Sequence, residues 1–389
     1  MIDDRTASRN ALLTGGEVYG PEYLGKMDLL ILGGKVASIQ PSIDRSFLSA
    51  VPNLSILDCS GCKVVPGLID QHNHFNGAGG EGGPAFRTPP AQLSSFVKAG
   101  ITGAVGLLGT DGICRSLEEL LAKARGLEEE GLSTWIYTGS YQIPSPTLTG
   151  SVMRDIALID KVIGVKMALS DHRCSHPSLE ELRRLVSDVR VAGMISGKPG
   201  IVCVHMGSES SGLEPLREAL SGTDIPMPHF LPTHVSRCDE LLEDGIRFIS
   251  EGGHVDLTAG DDTPSSVERL FKAGADMSRV TLSSDGNGSL PVFDENKRMI
   301  GMGVGTPDSI LNQIRATVLS DIAPLETMVS MATKNVADHL GLRGKGRLAP
   351  GFDGDTVVLG EGLELLHVLS RGRTSMKDGK VLVKGNFEV

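Results

Sequence analysis

Residues 64–75 read VVPGLIDQHNHF, an apolar run that closes on His72-Asn73-His74. Side chains on an extended strand alternate with a period of two, so both imidazoles face one side and can share a metal ion. Seven more short apolar runs follow: TGAVGLLG (102–109), STWIYTGSY (133–141), IGVKMALSD (163–171), IVCVHMG (201–207), FLPTHV (230–235), HVDLTA (254–259) and RVTLSSDG (279–286). Helical stretches such as SLEELLAKARGLEEEG (116–131) and SLEELRRLVSDVRVAG (178–193) separate them. Alternating β and α elements imply a parallel sheet, and eight strands close a (β/α)8 barrel. Residues 67–343 are close to the ~250 residues typical of such barrels.

Outside that span the pattern changes. DLLILGGKVASIQ (28–40) reads as a hairpin about a Gly-Gly turn, and residues 355–385 repeat the habit of short strands with DG or GR turns. The expected fold is therefore α/β, a TIM-type barrel over residues 67–343 with a small discontinuous β-sandwich domain from both termini, residues 1–66 and 344–389.

The chain has 389 residues, with 37 Lys and Arg against 48 Asp and Glu, a net charge of −11. That balance lacks the basic footprint of a nucleic-acid binder. One Trp, four Tyr and ten Phe are too few for base-stacking platforms. MIDDRTASRN has neither the basic nor the apolar region of a secretory signal, and no apolar run reaches the ~18 residues of a membrane helix. Six cysteines without a leader read as reduced thiols. The expectation is a cytoplasmic protein with no membrane or nucleic-acid partner. Glycine is the outlier: 49 residues point to tight turns and backbone held close to a ligand.

In a barrel enzyme the site is built where the strands end. The first run ends in His72 and His74, the fifth in His205, the sixth in His234 and the eighth in Asp285. Singly, each reads as a hydrogen-bonded core residue; five at matching strand ends read as metal ligands. Lys166 lies inside the apolar fourth run. The bland reading is an edge lysine that snorkels to water, but a closed barrel has no edge. A protonated amine cannot bind metal, whereas its carbamate would be an anionic two-oxygen bridge. Four His, one Asp and that bridge would complete a two-metal centre, ~3.5–4 Å across.

These residues resemble the amidohydrolase superfamily. The ordered set GxGGE (77–81), RTP (87–89), LLGTD (107–111), TGSY (138–141), GVKxALSDHR (164–173), HMG (205–207), LPTHVSR (231–237), TLSSDGNGS (281–289) and KGxFE (384–388) is similar to the isoaspartyl (β-aspartyl) dipeptidases along almost the whole chain. The resemblance implies two zinc ions per subunit, one held by His72, His74 and Asp285 and the other by His205 and His234. Carboxylated Lys166 and a hydroxide would bridge them. It implies attack by that hydroxide on the β-peptide carbonyl, with Asp285 as general acid and base and Tyr141 stabilising the oxyanion. It assigns Glu81 to the substrate's amine and Arg173 and Arg237 to carboxylate, with Gly79, Thr110 and Ser289 lining the pocket. It also implies a homo-oligomer, an octamer by resemblance.

An isoaspartyl dipeptide carries one amine and two carboxylates, which one anion and two guanidinium forks would match. For each arginine alone a surface ion pair is the bland reading. Asn76 and Ala78 interrupt the glycines of residues 77–83 and their surroundings, so backbone contacts are least determined there. The run also fits GxGxxG, but Pro84, Pro89 and Pro90 follow in place of a helix, which argues against a dinucleotide site. Cys59 and Cys62 form a CxxC with no second pair at zinc-ribbon spacing, and read as packing residues. His172, His176, His229, His254, His339 and His367 carry no assigned chemistry. The rival readings are an N-acyl-amino-acid deacylase or cyclic-amide hydrolase with the same metals, and a non-catalytic scaffold of the same fold. A scaffold would be expected to lack metal ligands, and none is missing.

Overall fold

A computed structural model describes residues 8–46, 48–293 and 299–388. The stretch read for a leader lies, over residues 1–7, outside the described residues. The chain begins with strands β1 (Ala11–Tyr19), β2 (Tyr23–Leu32), β3 (Lys35–Gln40), β4 (Ser55–Asp58) and β5 (Lys63–Pro66). β1 is their hub, antiparallel to β2 and parallel to β4 and β5. β2 turns into β3 through Gly33 and Gly34, both at positive φ, which glycine adopts without steric cost.

Eight parallel strands follow: β6 (Leu68–Asn73), β7 (Ile101–Gly106), β8 (Ser133–Gly139), β9 (Val162–Leu169), β10 (Ile201–Met206), β11 (Phe230–Thr233), β12 (Val255–Thr258) and β13 (Val280–Ser283). They lie side by side in chain order. Asn73 bridges Gly286, and the His74 amide donates to the Gly286 carbonyl at 2.8 Å, so the sheet curls into a nearly closed barrel. Every residue of β7, β9 and β10 is buried, as expected of strands filled inside and covered by helices outside. A hairpin, β14 (Ser289–Phe293) and β15 (Met299–Val304), follows the barrel. The last strands, β16 (Thr356–Leu359), β17 (Leu365–Ser370), β18 (Arg373–Lys377) and β19 (Lys380–Val381), join β5 through β16. Both termini thus build one nine-stranded sheet.

The helical signals act locally. Ser116 and Ser178 cap helices Leu117–Glu130 and Leu179–Ser196, the second with a full capping box to Glu181. Gly197 ends the second at a left-handed φ of 68°. Ile69, Tyr137, Ile163, Ile201 and Leu231 pack with Val336 of helix Lys334–His339 and with Leu340, its C-cap, which close one end of the barrel with apolar side chains. Polar chemistry is left to the other end.

Two details differ from the sequence reading. The run 64–75 is not one strand: β5 belongs to the terminal sheet and β6 to the barrel. Pro66 cannot donate to a ladder, and Gly67 instead donates to Asp355 at 2.9 Å. A Cβ at Gly67 would collide with the Thr102 side chain. Second, β11 and β13 end before His234 and Asp285, whose φ values of 66° and 51° turn the chain out of the sheet. We propose the domain division at residues 66/67 and 343/344. The change of sheet at Gly67 supports the first boundary; the bonds of Phe352 and Gly354 to Val36 and Gly34 support the second. No described helix is long and apolar enough to cross a membrane.

Candidate active site

The open end of the barrel holds a cavity of about 1110 Å³, lined by residues from the loops after β6 to β13 and from the hairpin. At its floor His72, His234 and Asp285 offer ligand atoms all within 4.8 Å of one another, a group able to hold a metal ion. Asp285 Oδ1 lies 3.1 Å from His74 Nε2 and 3.3 Å from His72 Nε2. The His205 and His234 rings are 4.6 Å apart and the His72 and His234 rings 4.9 Å. Lys166 is fully buried beside them, its Nζ 3.4 Å from His72 Nε2 and 3.8 Å from Cys203 Sγ. All six residues expected as ligands therefore meet in one place.

Second contacts aim the rings. His234 Nδ1 meets Thr258 Oγ1 at 2.5 Å, and His72 Nδ1 meets Thr233 Oγ1 at 3.2 Å; Thr233 in turn donates to Asp256 at 2.8 Å. Such contacts turn the other ring nitrogen inward. His234 Nε2 and His74 Nδ1 are buried with no protein partner among the described residues. Burial, then the positive charge of Lys166, pushes the His72 pKa well below its ordinary value; burial, then His205, does the same to His234. Burial also lowers the Lys166 pKa. Burial alone would raise the pKa of Asp285, but the His74 hydrogen bond and the neighbouring imidazoles hold it below the usual carboxylate range. Neutral imidazoles, a carboxylate and a buried amine of lowered basicity form a donor set that fits divalent metal.

Above this floor the polar groups converge. Glu81 Oε1 accepts from Thr110 Oγ1 at 3.0 Å, Arg173 Nη1 at 3.3 Å and Ser289 Oγ at 3.3 Å. Tyr141 Oη lies 2.7 Å from His205 Nδ1, and burial raises its pKa, so the phenol stays protonated. Arg237 lines the cavity with no carboxylate partner among the described residues. Gly79 is placed differently: Ala78 and Gly82 line the cavity, while Gly79 bridges Arg87. Its φ of 88°, and the Phe86 carbonyl against which a Cβ would collide, make it a loop-forming glycine. No helix follows this glycine-rich loop until Leu93, unlike a dinucleotide-binding turn.

The amidohydrolase family model matches residues 63–385, which spans the barrel and the returning strands. The chain belongs to the amidohydrolase family. Like the rest of that family it is a hydrolytic enzyme by descent. Among solved amidohydrolases it is similar to the β-aspartyl dipeptidase of Fervidobacterium islandicum AW-1 in complex with β-Asp-Leu, at 44% identity and a TM-score of 0.91, covering 98% of this chain and 99% of that one. The dipeptidase resemblance of the sequence is thus borne out. The dihydropyrimidinase of Brevibacillus agri, 15% identical with a TM-score of 0.67 over 97% of both chains, shares the fold. Adenine deaminase 2 of Agrobacterium fabrum is 26% identical over 96% of this chain, which spans 58% of that protein's length. The dihydroorotase of Pelotomaculum thermopropionicum is 26% identical over 95% of this chain and 94% of its own.

Within this amidohydrolase barrel the sequence reading passed over three groups. Asp171 is buried between Arg173 and His205, and Thr233 and Asp256 stand behind His72. A signal exists for the last two: Thr233 directly precedes a ligand candidate, and Asp256 alternates with Thr258 in HVDLTA. Polar side chains inside an otherwise apolar buried strand require partners.

Proposed function

We propose that this amidohydrolase cleaves the β-peptide bond of isoaspartyl dipeptides with two zinc ions per subunit. The observation that carries the reading is the convergence above the histidine floor of Glu81, Arg173 and Arg237, the last with no carboxylate partner among the described residues: Glu81 suits a substrate's amine, and Arg237 and the Arg173 edge that Asp171 leaves free suit its two carboxylates. The 44% identity to a β-aspartyl dipeptidase over nearly the whole chain supports it.

His72, His74 and Asp285 would hold one metal, His205 and His234 the other, and Lys166 as its carbamate would link them. Such a pair supplies an activated water near neutral pH and a Lewis acid at the scissile carbonyl. Glu81, with Thr110 and Ser289, would fix the α-amino group, and Arg173 and Arg237 the carboxylates. The protonated Tyr141 phenol would donate to the oxyanion that forms. Asp285 would take the proton of the attacking water and deliver it to the leaving amine. A cytoplasmic homo-oligomer belongs to the same reading and rests on the resemblance alone.

The test is metal analysis of the purified protein together with turnover of β-Asp-Leu, α-Asp-Leu, dihydroorotate and adenine. The reading expects two metal equivalents and cleavage confined to β-Asp-Leu. Turnover of dihydroorotate without β-Asp-Leu cleavage would move the chain to the cyclic-amide hydrolases.

A further inference from the structure

We infer that Asp171 is a positioning residue that ties the substrate-binding guanidinium of Arg173 to His205, so that one carboxylate sets both the recognition group and a metal ligand. The substrate half of this inference rests on the dipeptidase reading; the metal half does not.

Asp171 follows β9 by two residues, after Ser170 turns the chain at a φ of 52°. Its side chain is 3% exposed. Oδ1 accepts from the Arg173 backbone amide at 2.8 Å and from Arg173 Nε at 2.9 Å. Oδ2 accepts from Arg173 Nη2 at 2.9 Å and lies 3.0 Å from His205 Nε2. The carboxylate thus grips one edge of the guanidinium with two parallel hydrogen bonds, a geometry that fixes the plane of the fork. The opposite edge, Nη1, is turned towards Glu81 and the cavity. A fork held this way meets a carboxylate without first losing the freedom of a long side chain.

The same group settles the state of His205. An ionised carboxylate only accepts, so its contact requires the proton of a neutral His205 on Nε2 and leaves the lone pair on Nδ1. Nδ1 faces Tyr141 Oη at 2.7 Å, on the cavity side. Arg173 Nη2 is 3.1 Å from His205 Nε2; with Nε2 protonated both are donors, and they share Asp171 Oδ2 as acceptor, which makes the three groups one unit. The backbone just after β10 approaches the unit closely: a Cβ on Gly207 would lie 2.5 Å from the Asp171 Cα and collide with the Ser170 carbonyl. An ordinary structural ion pair would need none of this convergence on two site residues.

The experiment uses the full-length, metal-loaded enzyme and the variants Asp171→Asn, Asp171→Ala, Arg173→Met and Asp171→Asn/Arg173→Met. Thermal melting identifies the variants that fold, and Asp171→Asn, of equal size, carries the test if Asp171→Ala does not. Two measurements follow: KM and kcat on β-Asp-Leu, and the half-time of metal release to excess chelator. Asp171→Asn should raise KM about tenfold or more, with a smaller change in kcat. It should also shorten the release half-time about tenfold, the scale of lost second contacts to a metal ligand. In the double variant KM should rise little beyond that of Arg173→Met, because Asp171 acts on substrate through Arg173. A folded Asp171→Asn enzyme with unchanged KM and unchanged metal release overturns the inference, as does full additivity with Arg173→Met. If the wild-type enzyme leaves β-Asp-Leu intact, the dipeptidase reading fails, and metal release alone decides whether Asp171 positions His205.

Discussion

Arg173 Nη1 stands 3.3 Å from Glu81 Oε1, so the carboxylate assigned to the substrate's amine and the guanidinium assigned to its carboxylate hold each other across the cavity. Neither charge is left unpaired in the free enzyme, which limits the cost of keeping both away from bulk water. A zwitterionic substrate end can replace the pair partner for partner. Arg237, without such a partner among the described residues, would be left for the second carboxylate in the proposed reading.

Glu81→Gln removes the anion but keeps the size and one acceptor. The kcat/KM for β-Asp-Leu should fall about 10- to 100-fold, the scale of a lost charge-assisted hydrogen bond. Succinyl-leucine, which lacks only the amine, should lose far less. Steady-state kinetics on both compounds give the ratio that matters; a ratio equal to that of the wild type would remove Glu81 from amine recognition.

Arg237→Met tests the other charge. We expect KM for β-Asp-Leu to rise about tenfold or more while kcat changes less. β-Asp-leucinamide, without the leaving residue's carboxylate, is the control. Equal losses on acid and amide would show that Arg237 does not read that carboxylate, and Arg173→Met measured alongside shows which fork reads which end.

The eight barrel strands are legible in the sequence because each is a short apolar run bounded by turn residues and separated by helical stretches, three of them opened by a serine cap. The ligand candidates are legible for a related reason: His205, His234 and Asp285 interrupt apolar composition where a run ends. What escapes is the choice of partner. Pro66 and Gly67 read as ordinary strand residues until β5 is seen pairing with β16, a contact spanning most of the chain. Asp171 reads as one more acidic residue of a loop, and only the approach of β10 to β9 brings His205 to its carboxylate. Gly79 is expected in the pocket lining by its place in the motif; in the structure Ala78 and Gly82 line the cavity and Gly79 lets the loop turn beneath the Phe86 carbonyl.

Lys166 is fully buried among imidazoles, where burial lowers its pKa. A neutral amine is the form that adds carbon dioxide, so this surrounding favours a carbamate. Lys166→Ala should lose bound metal and nearly all activity. Small carboxylates such as formate should restore part of both by standing in for the missing bridge. Elemental analysis checks the first point and an activity titration the second; a variant that keeps two metal equivalents with no added carboxylate would rule out the bridging role.

Asp285 is placed to handle protons, with Oδ1 within 3.3 Å of both His72 and His74 at the cavity floor. Asp285→Asn preserves shape and removes the basic group. The expected loss in kcat is about 10²-fold or more, with KM changed much less. Metal content has to be measured on the same sample, since Asp285 is also an expected ligand. Near-normal turnover at full metal loading would leave the acid-base role to another group.

At the closed end of the barrel His254 and His339 meet edge to face, their ring centroids 4.1 Å apart. Both Nδ1 atoms are buried without a partner among the described residues, and His339 Nε2 donates to the Pro228 carbonyl at 3.0 Å. Burial, reinforced by Arg279, pushes the His254 pKa down to about 4. In the unfolded chain a histidine titrates near 6.5. Between those values the unfolded chain binds a proton that the folded protein refuses, so stability is lost as pH falls from about 6.5 towards 4. His254→Asn cannot titrate, so the melting temperature of the variant relative to wild type should improve steadily from pH 7 to pH 4.5. The comparison cancels the histidines of the metal site, which are common to both proteins. A difference in melting temperature that stays constant across that range would show that His254 takes no part in acid sensitivity.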